Sequence, residues 1–203
     1  MGMMITAGIA GAQDTVPGLT GSGPEASVAS APTAISLKGQ RHVMAHRAVT
    51  FRGRVAPGGK HRVMVRVGGH KLRTHSRAGG GYRVTWRSPA SGVFTARARV
   101  DGSSVRSHRL PVNAYRPAEA SYYGPGLYGG GLACGGTLTS GKLGVANKTL
   151  PCGSRVTLRY HGHTVTVPVI DRGPYAGNRE YDLTAATKAK LGFPSTGTVL
   201  TTR

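Results

Sequence analysis

The sequence predicts an all-β chain made of two β modules in series, and three observations carry that expectation. Apolar and polar residues alternate with period two through the first half. Glycine and proline clusters interrupt the alternation at roughly the 8–12-residue spacing of a sandwich. The second half then holds about six short apolar strands with room for one helix, which suits a compact barrel. The expected architecture is therefore an N-terminal Ig-like β-sandwich followed by a C-terminal six-stranded β-barrel with one short helix.

Met1 to Ala12 (MGMMITAGIAGA) reads as the apolar core and small-residue exit of a secretory signal, with Ala10-Gly11-Ala12 before Gln13 as a cleavage site, although the basic leader is missing. Residues 13–34 are mostly Gly, Pro, Ser, Ala and Thr, with two acids and no basic residue. Such a composition buries too little apolar surface to order itself, so residues 1–34 are expected to be a signal remnant and tether. No stretch reaches the roughly 20 apolar residues of a membrane span. The expected location is therefore secreted.

Residues 35–113 form the first module. Val63, Val65 and Val67 alternate with Met64 and Arg66, and Tyr82, Val84 and Trp86 with Arg83, Thr85 and Arg87. Phe94, Ala96, Ala98 and Val100 repeat the scheme against Thr95, Arg97 and Arg99, as in half-buried strands with arginine on the wet face. Pro57-Gly58-Gly59, Gly68-Gly69, Gly79-Gly80-Gly81, Ser91-Gly92 and Asp101-Gly102 supply the turns. Residues 114–119, around Tyr115-Arg116-Pro117, read as a linker.

Residues 120–203 form the second module. Val156 to Tyr160 and Thr164 to Val169 read as a hairpin joined at His161-Gly162-His163. Leu183 to Leu191 reads as a short helix, with Asp182 as its N-terminal cap, basic residues in its last turn and Gly192 after it. Ser195 to Thr202 would be a closing strand.

The net charge of +20, from 27 Lys and Arg against 7 Asp and Glu, implies polyanionic partners. Aromatics are only 6%, and the chain lacks zinc-finger spacing, an aromatic nucleic-acid-binding run and a basic helix, so nucleic acid is not the expected partner. The basic first module is expected to adhere to anionic wall polymers; the alternative is a solvated face that keeps an edge-rich β-protein soluble. Six histidines (His42, His46, His61, His70, His75, His108) are scattered through that module without ligand spacing, so no metal site and no cofactor are expected.

Cys134 and Cys152 are the two cysteines. In an exported chain one disulfide is the expectation, against two buried thiols that never meet.

Chemistry is confined to few residues, because from Ala120 onward the acids are Asp171, Glu180 and Asp182. Asp171 ends the hydrophobic run Thr164 to Ile170, a strand-end position where sites are commonly built; the alternative is an Asx-turn in Asp171-Arg172-Gly173-Pro174. Glu180, beside Arg179, reads as a surface residue. Tyr122 and Tyr123 alternate, so one should face the core and the other a groove.

Five motifs agree in order and spacing: Ala120-Ser121-Tyr122-Tyr123-Gly124, Leu132-Ala133-Cys134-Gly135, Leu143 to Gly153, Val169 to Pro174, and Tyr181-Asp182-Leu183-Thr184. Together they resemble the RlpA-like (rare lipoprotein A) family across residues 120–203. The resemblance implies a double-psi β-barrel, shared with expansins and barwin-like proteins, that engages cell-wall polysaccharide; the family's enzymes are lytic transglycosylases acting on peptidoglycan glycan strands. It implies Asp171 and Asp182 as the catalytic pair and, through the expansin-like pattern, Ser121, Tyr123 and Tyr175 as substrate-binding residues; Asn147 reads either as an amide that binds a sugar hydroxyl or as a turn residue. The chain also departs from the pattern. Family members with lytic activity carry A-S-G-E where this chain has Ala133-Cys134-Gly135-Gly136, a His at Asn147 and an Asp at Thr139. Transglycosylation needs an acid to protonate the leaving oxygen, and of those acids only Asp171 remains. The alternative function is a non-catalytic, expansin-like wall-binding or loosening module.

Overall fold

A computed structural model describes residues 30–203; the expected leader and nearly all of the tether lie outside the described residues. The structure is mostly β with one short helix. The strands are β1 (Ala34–Ile35), β2 (His42–Met44), β3 (Ala48–Ala56), β4 (Arg62–Val67), β5 (His70–His75), β6 (Gly81–Arg87), β7 (Gly92–Val100) and β8 (Leu110–Tyr123). They continue as β9 (Val145–Ala146), β10 (Arg155–Tyr160), β11 (His163–Asp171) and β12 (Tyr181–Thr184), then helix α1 (Ala185–Leu191) and β13 (Gly197–Thr201).

The period-two pattern of the first module sorts its side chains as expected. Val63, Val65, Val67, Ala96, Ala98 and Val100 are buried, while Arg66 and Arg97 on the alternate positions are exposed. These residues share one core with Val49, Phe51, Tyr82 and Trp86 of a separate sheet ordered β1-β3-β6. Each fully buried aliphatic or aromatic side chain contributes about 1.5–3 kcal/mol relative to exposure, so the alternation itself fixes which faces meet.

The expected linker at 114–119 is instead the middle of β8, a 14-residue strand. Its first half pairs with β7 and β2, and its second half with β13 and β12. Pro117 suggested a joint because it cannot donate to a ladder. Residues 116–119 pair with β13 alone, so the strand has a free edge there that tolerates proline.

From β8 onward the pairing order is β8-β13-β10-β11-β9-β12, and a parallel β12–β8 ladder returns it to its start. Ala120, Val145, Val156, Leu158, Val167, Tyr181, Leu183 and Val199 fill the enclosed core. The β10–β11 hairpin turns on His161 and Gly162, both with positive φ, as a two-residue hairpin loop requires.

Helix α1 begins two residues later than expected. Its N-cap is Thr184, whose hydroxyl accepts from Thr187 N, and not Asp182, which lies inside β12. Asp182 is held in the β-ladder by pairing on both sides, so it cannot turn its carboxylate to the helix start. Gly192 closes the helix in the left-handed conformation.

Candidate active site

In β12, Tyr181 and Leu183 face the core, so Asp182 between them faces outward. The same alternation in β8 turns Ala120 and Tyr122 inward and Ser121 and Tyr123 outward. Both tyrosines are half-buried: Tyr122 packs on the barrel core with Lys188 Nζ 4.2 Å from its ring centroid, and Tyr123 packs with Leu132, Leu138 and Ile170.

Register then assembles a row across four neighbouring strands. Asp171 of β11 is opposite Ala146 of β9, Ala146 is opposite Asp182 of β12, and Asp182 is opposite Ser121 of β8. With adjacent strands about 4.8 Å apart, the two aspartate backbones stand roughly 10 Å apart with one alanine between them.

Each carboxylate is held. Asp171 Oδ1 accepts from Ala133 N at 2.9 Å and from its neighbour Arg172 N at 2.8 Å, which leaves Oδ2 without a hydrogen-bond partner among the described residues. Ser121 Oγ, itself 5% exposed, donates to Asp182 Oδ1 at 2.8 Å. Burial pushes the Asp182 carboxyl above the usual carboxylate range; the Ser121 bond and the Arg179 charge oppose that shift, and the Asp171 charge adds to it. The Tyr123 hydroxyl is buried beside Asp171 without the geometry of a hydrogen bond to any group among the described residues. Burial, then the charges of Asp171 and Asp182, push that phenol upward, so it stays a neutral O–H donor facing two carboxylates.

The segment that holds Asp171 is itself anchored. Cys134 and Cys152 form a disulfide with Cα atoms 5.5 Å apart, and Cys134 N donates to Ile170 O. Arg172 turns its guanidinium to the carbonyls of Asn147 and Leu150, both at 3.0 Å, and to Cys152 Sγ.

The remaining expected residues are placed differently. Asn147 is 3% exposed, and its side chain is spent inside the fold: Oδ1 accepts from Thr149 N and Leu150 N, and Nδ2 donates to Glu180 O. It therefore shapes the 147–150 turn and presents no free acceptor to a substrate. Tyr175 is 80% exposed on the loop after the cis Gly173-Pro174 bond. Glu180, read as a surface acid, makes a two-bond ion pair with Arg116 at 2.7 and 2.5 Å that ties β8 to the start of β12. The Arg172 clamp and this ion pair were missed because both join residues distant in sequence with no shared motif.

A closed β circuit with parallel β8–β12 and β9–β11 ladders, carrying two outward aspartates in one row, defines the class. Residues 118–202 match a family model described as a lytic transglycolase, and this double-psi β-barrel segment is similar to RlpA proteins. Among curated proteins it is similar to the probable endolytic peptidoglycan transglycosylase RlpA of Synechocystis, 41% identical over 38% of this chain and 25% of the relative. The endolytic peptidoglycan transglycosylase RlpA of Neisseria meningitidis is 35% identical over 49% of this chain and 47% of its own length. Its namesake in Pseudomonas aeruginosa is 43% identical over 43% and 28%. The chain spans less than half the length of these relatives.

Proposed function

We propose that this is a secreted, cell-wall-acting protein whose six-stranded double-psi barrel binds peptidoglycan glycan strands and cleaves them as a lytic transglycosylase, with Asp171 as the reactive carboxyl group. The observation that carries the reading is the register row Asp171–Ala146–Asp182–Ser121, on the face opposite the barrel core and within the segment that matches the lytic transglycolase model. Asp171 offers Oδ2 to the glycosidic oxygen while Oδ1 stays fixed by two N–H donors. A proton delivered from the Asp171 carboxyl to that oxygen breaks the C1–O bond and releases the leaving sugar as an alcohol, and the 6-hydroxyl of the retained sugar closes on C1 to leave an anhydro end while its proton returns to the Asp171 carboxylate. Asp182, oriented by Ser121, places a second carboxyl group across Ala146, and the Tyr123 hydroxyl and the exposed Tyr175 ring are offered to sugar hydroxyls and faces. The first module, read as an Ig-like sandwich with basic outer faces, holds the protein on anionic wall polymer.

Gly136 favours a second reading. It stands where lytic members of the family carry an acid, and a Cβ there would meet only Lys142 Nζ at 4.0 Å. With that acid absent, the row would bind glycan without cleaving it, as an expansin-like module. Purified sacculi incubated with the full chain, wild type and Asp171→Asn, and analysed by mass spectrometry separate the two. Anhydro-muropeptides from wild type alone establish the lytic reading. Sacculus binding by wild type without fragments establishes the second, and neither binding nor fragments sinks both.

A further inference from the structure

We propose that the outer face of β4, β5 and β7 is a binding site for a base-free phosphodiester chain, a polyol-phosphate polymer, seated in a hollow lined by Arg66, Arg97, Arg99 and Arg106. The proposal rests on the wall-acting reading above for its choice of polymer, and on the following geometry for the site.

Cross-strand register places like charges directly opposite one another. Arg66 of β4 faces Lys71 of β5 on one side and Arg97 of β7 on the other, and one step along, Arg99 faces Arg106 across an isolated bridge. Opposed like charges destabilise a sheet unless an anion lies between them. The same opposition occurs at Arg52 and Arg83 of β3 and β6, so the pairing alone does not mark a site; four guanidinium groups around one hollow of about 230 Å³, with Arg99 Nε buried and unpartnered among the described residues, single out this face.

The arginines are partly positioned in advance. Arg97 Nε donates to Ser107 O at 3.1 Å, which leaves its terminal nitrogens for another acceptor. Among the described residues Arg99 Nε is buried with no acceptor, and the one acid against the guanidinium, Asp101, is 3.5 Å from Nη2 in a loose ion pair. Met64, on the same outer face, is only 5% exposed. It pairs with Arg73 and Arg99 across the two ladders, so the arginine stems lie over it and stand on an apolar floor.

The pattern of the charges selects the ligand. Arg97 and Arg99 are two residues apart on one strand, about 6.6 Å, close to the interval between successive phosphates joined by a short polyol. Guanidinium forks bind such groups with two parallel bonds. A single-stranded nucleic acid would need rings on which its bases stack, and the outward positions of β4, β5 and β7 carry no phenylalanine, tyrosine or tryptophan.

The test uses the full chain and an end-labelled glycerol-phosphate oligomer at physiological salt, read by fluorescence anisotropy. Polyglutamate and oligothymidylate of equal charge serve as competitors. Arg66→Gln/Arg97→Gln should weaken binding about tenfold or more. Arg52→Gln/Arg83→Gln, which removes a cross-strand arginine pair from the outer face of the β1-β3-β6 sheet, should change it less than about twofold. Equal losses in the two variants would reduce the site to net charge and overturn the proposal. Competition by polyglutamate or oligothymidylate as strong as by unlabelled glycerol phosphate would overturn the choice of polymer. Sacculus digestion is scored separately with the same proteins. Fragment release without oligomer binding therefore sinks this inference alone, and oligomer binding without fragment release leaves it standing while the lytic reading fails.

Discussion

The arginines on β4 and β7 and the aspartates on β11 and β12 are all charges on the outer faces of sheets, yet the two regions hold them in opposite ways. In the first module cations sit opposite cations, and the one described ion pair there is the loose contact of Arg99 with Asp101. In the second, each aspartate is half-buried and held by a fixed donor, Ala133 N for Asp171 and Ser121 Oγ for Asp182. An exposed array supplies a field that attracts a polymer over a Debye length of about 8 Å. A fixed carboxylate supplies direction at one atom. The difference teaches that one fold can present charge either as a diffuse field or as a fixed direction; under the proposed function the first serves to hold a charged chain and the second to act on one bond.

The sharpest way to break the comparison is to ask whether the two regions fold independently. Because β8 is one strand paired into both, they should unfold together. Leu158→Ala, at a fully buried position of the second module, should cost about 2–5 kcal/mol. Val112→Ala, fully buried in the first, should cost somewhat less, and both should shift the same transition in urea denaturation followed by Trp86 fluorescence and by far-ultraviolet circular dichroism. Two separated transitions would show that β8 does not couple them. The disulfide comes next in size. With its cysteines separated by 18 positions in sequence, Cys134→Ser/Cys152→Ser should lose about 3 kcal/mol in the chain-entropy account. It should also reduce glycan release, since the loop it ties donates Ala133 N to Asp171. Unchanged release with lowered stability would mean that the loop keeps its place without the bond.

Much of the first module was legible because a period-two pattern states both the strand and its buried face, as at Val63, Val65 and Val67. In the second, the hairpin at His161-Gly162 and the C-cap at Gly192 were legible because only a few residues tolerate positive φ. Asp182 was misread because a good capping residue beside a helix looks like a cap, whereas the ladders on both of its edges are invisible in one sequence. Asn147 reads from sequence either as an amide for a sugar hydroxyl or as a turn residue, and its three hydrogen bonds, one to a carbonyl 33 residues away, are those of the turn residue. Pro117 suggested a break where one unpaired edge was enough to accommodate it.

Asp182 also gives the smallest and most discriminating prediction. Its carboxyl is raised above the ordinary aspartate value, first by burial, so through the window between the two values the folded state binds a proton that the unfolded chain has already released. Between the unfolded and folded pKa values the native state therefore holds more protons, and stability falls as pH rises through that window. Above it, the ionised Asp182 is a standing cost to the fold. Asp182→Asn keeps an oxygen for the Ser121 hydroxyl and removes the charge. Its melting temperature should exceed that of wild type at pH 7, and the difference should vanish below the ordinary carboxylate range. Ser121→Ala should act the other way, since losing the bond that favours the ionised form raises the Asp182 pKa further and lowers stability at neutral pH. If both variants track wild type at every pH, Asp182 is as freely hydrated as the arginines of the first module. The contrast between a fixed charge and a field would then rest on Asp171 alone.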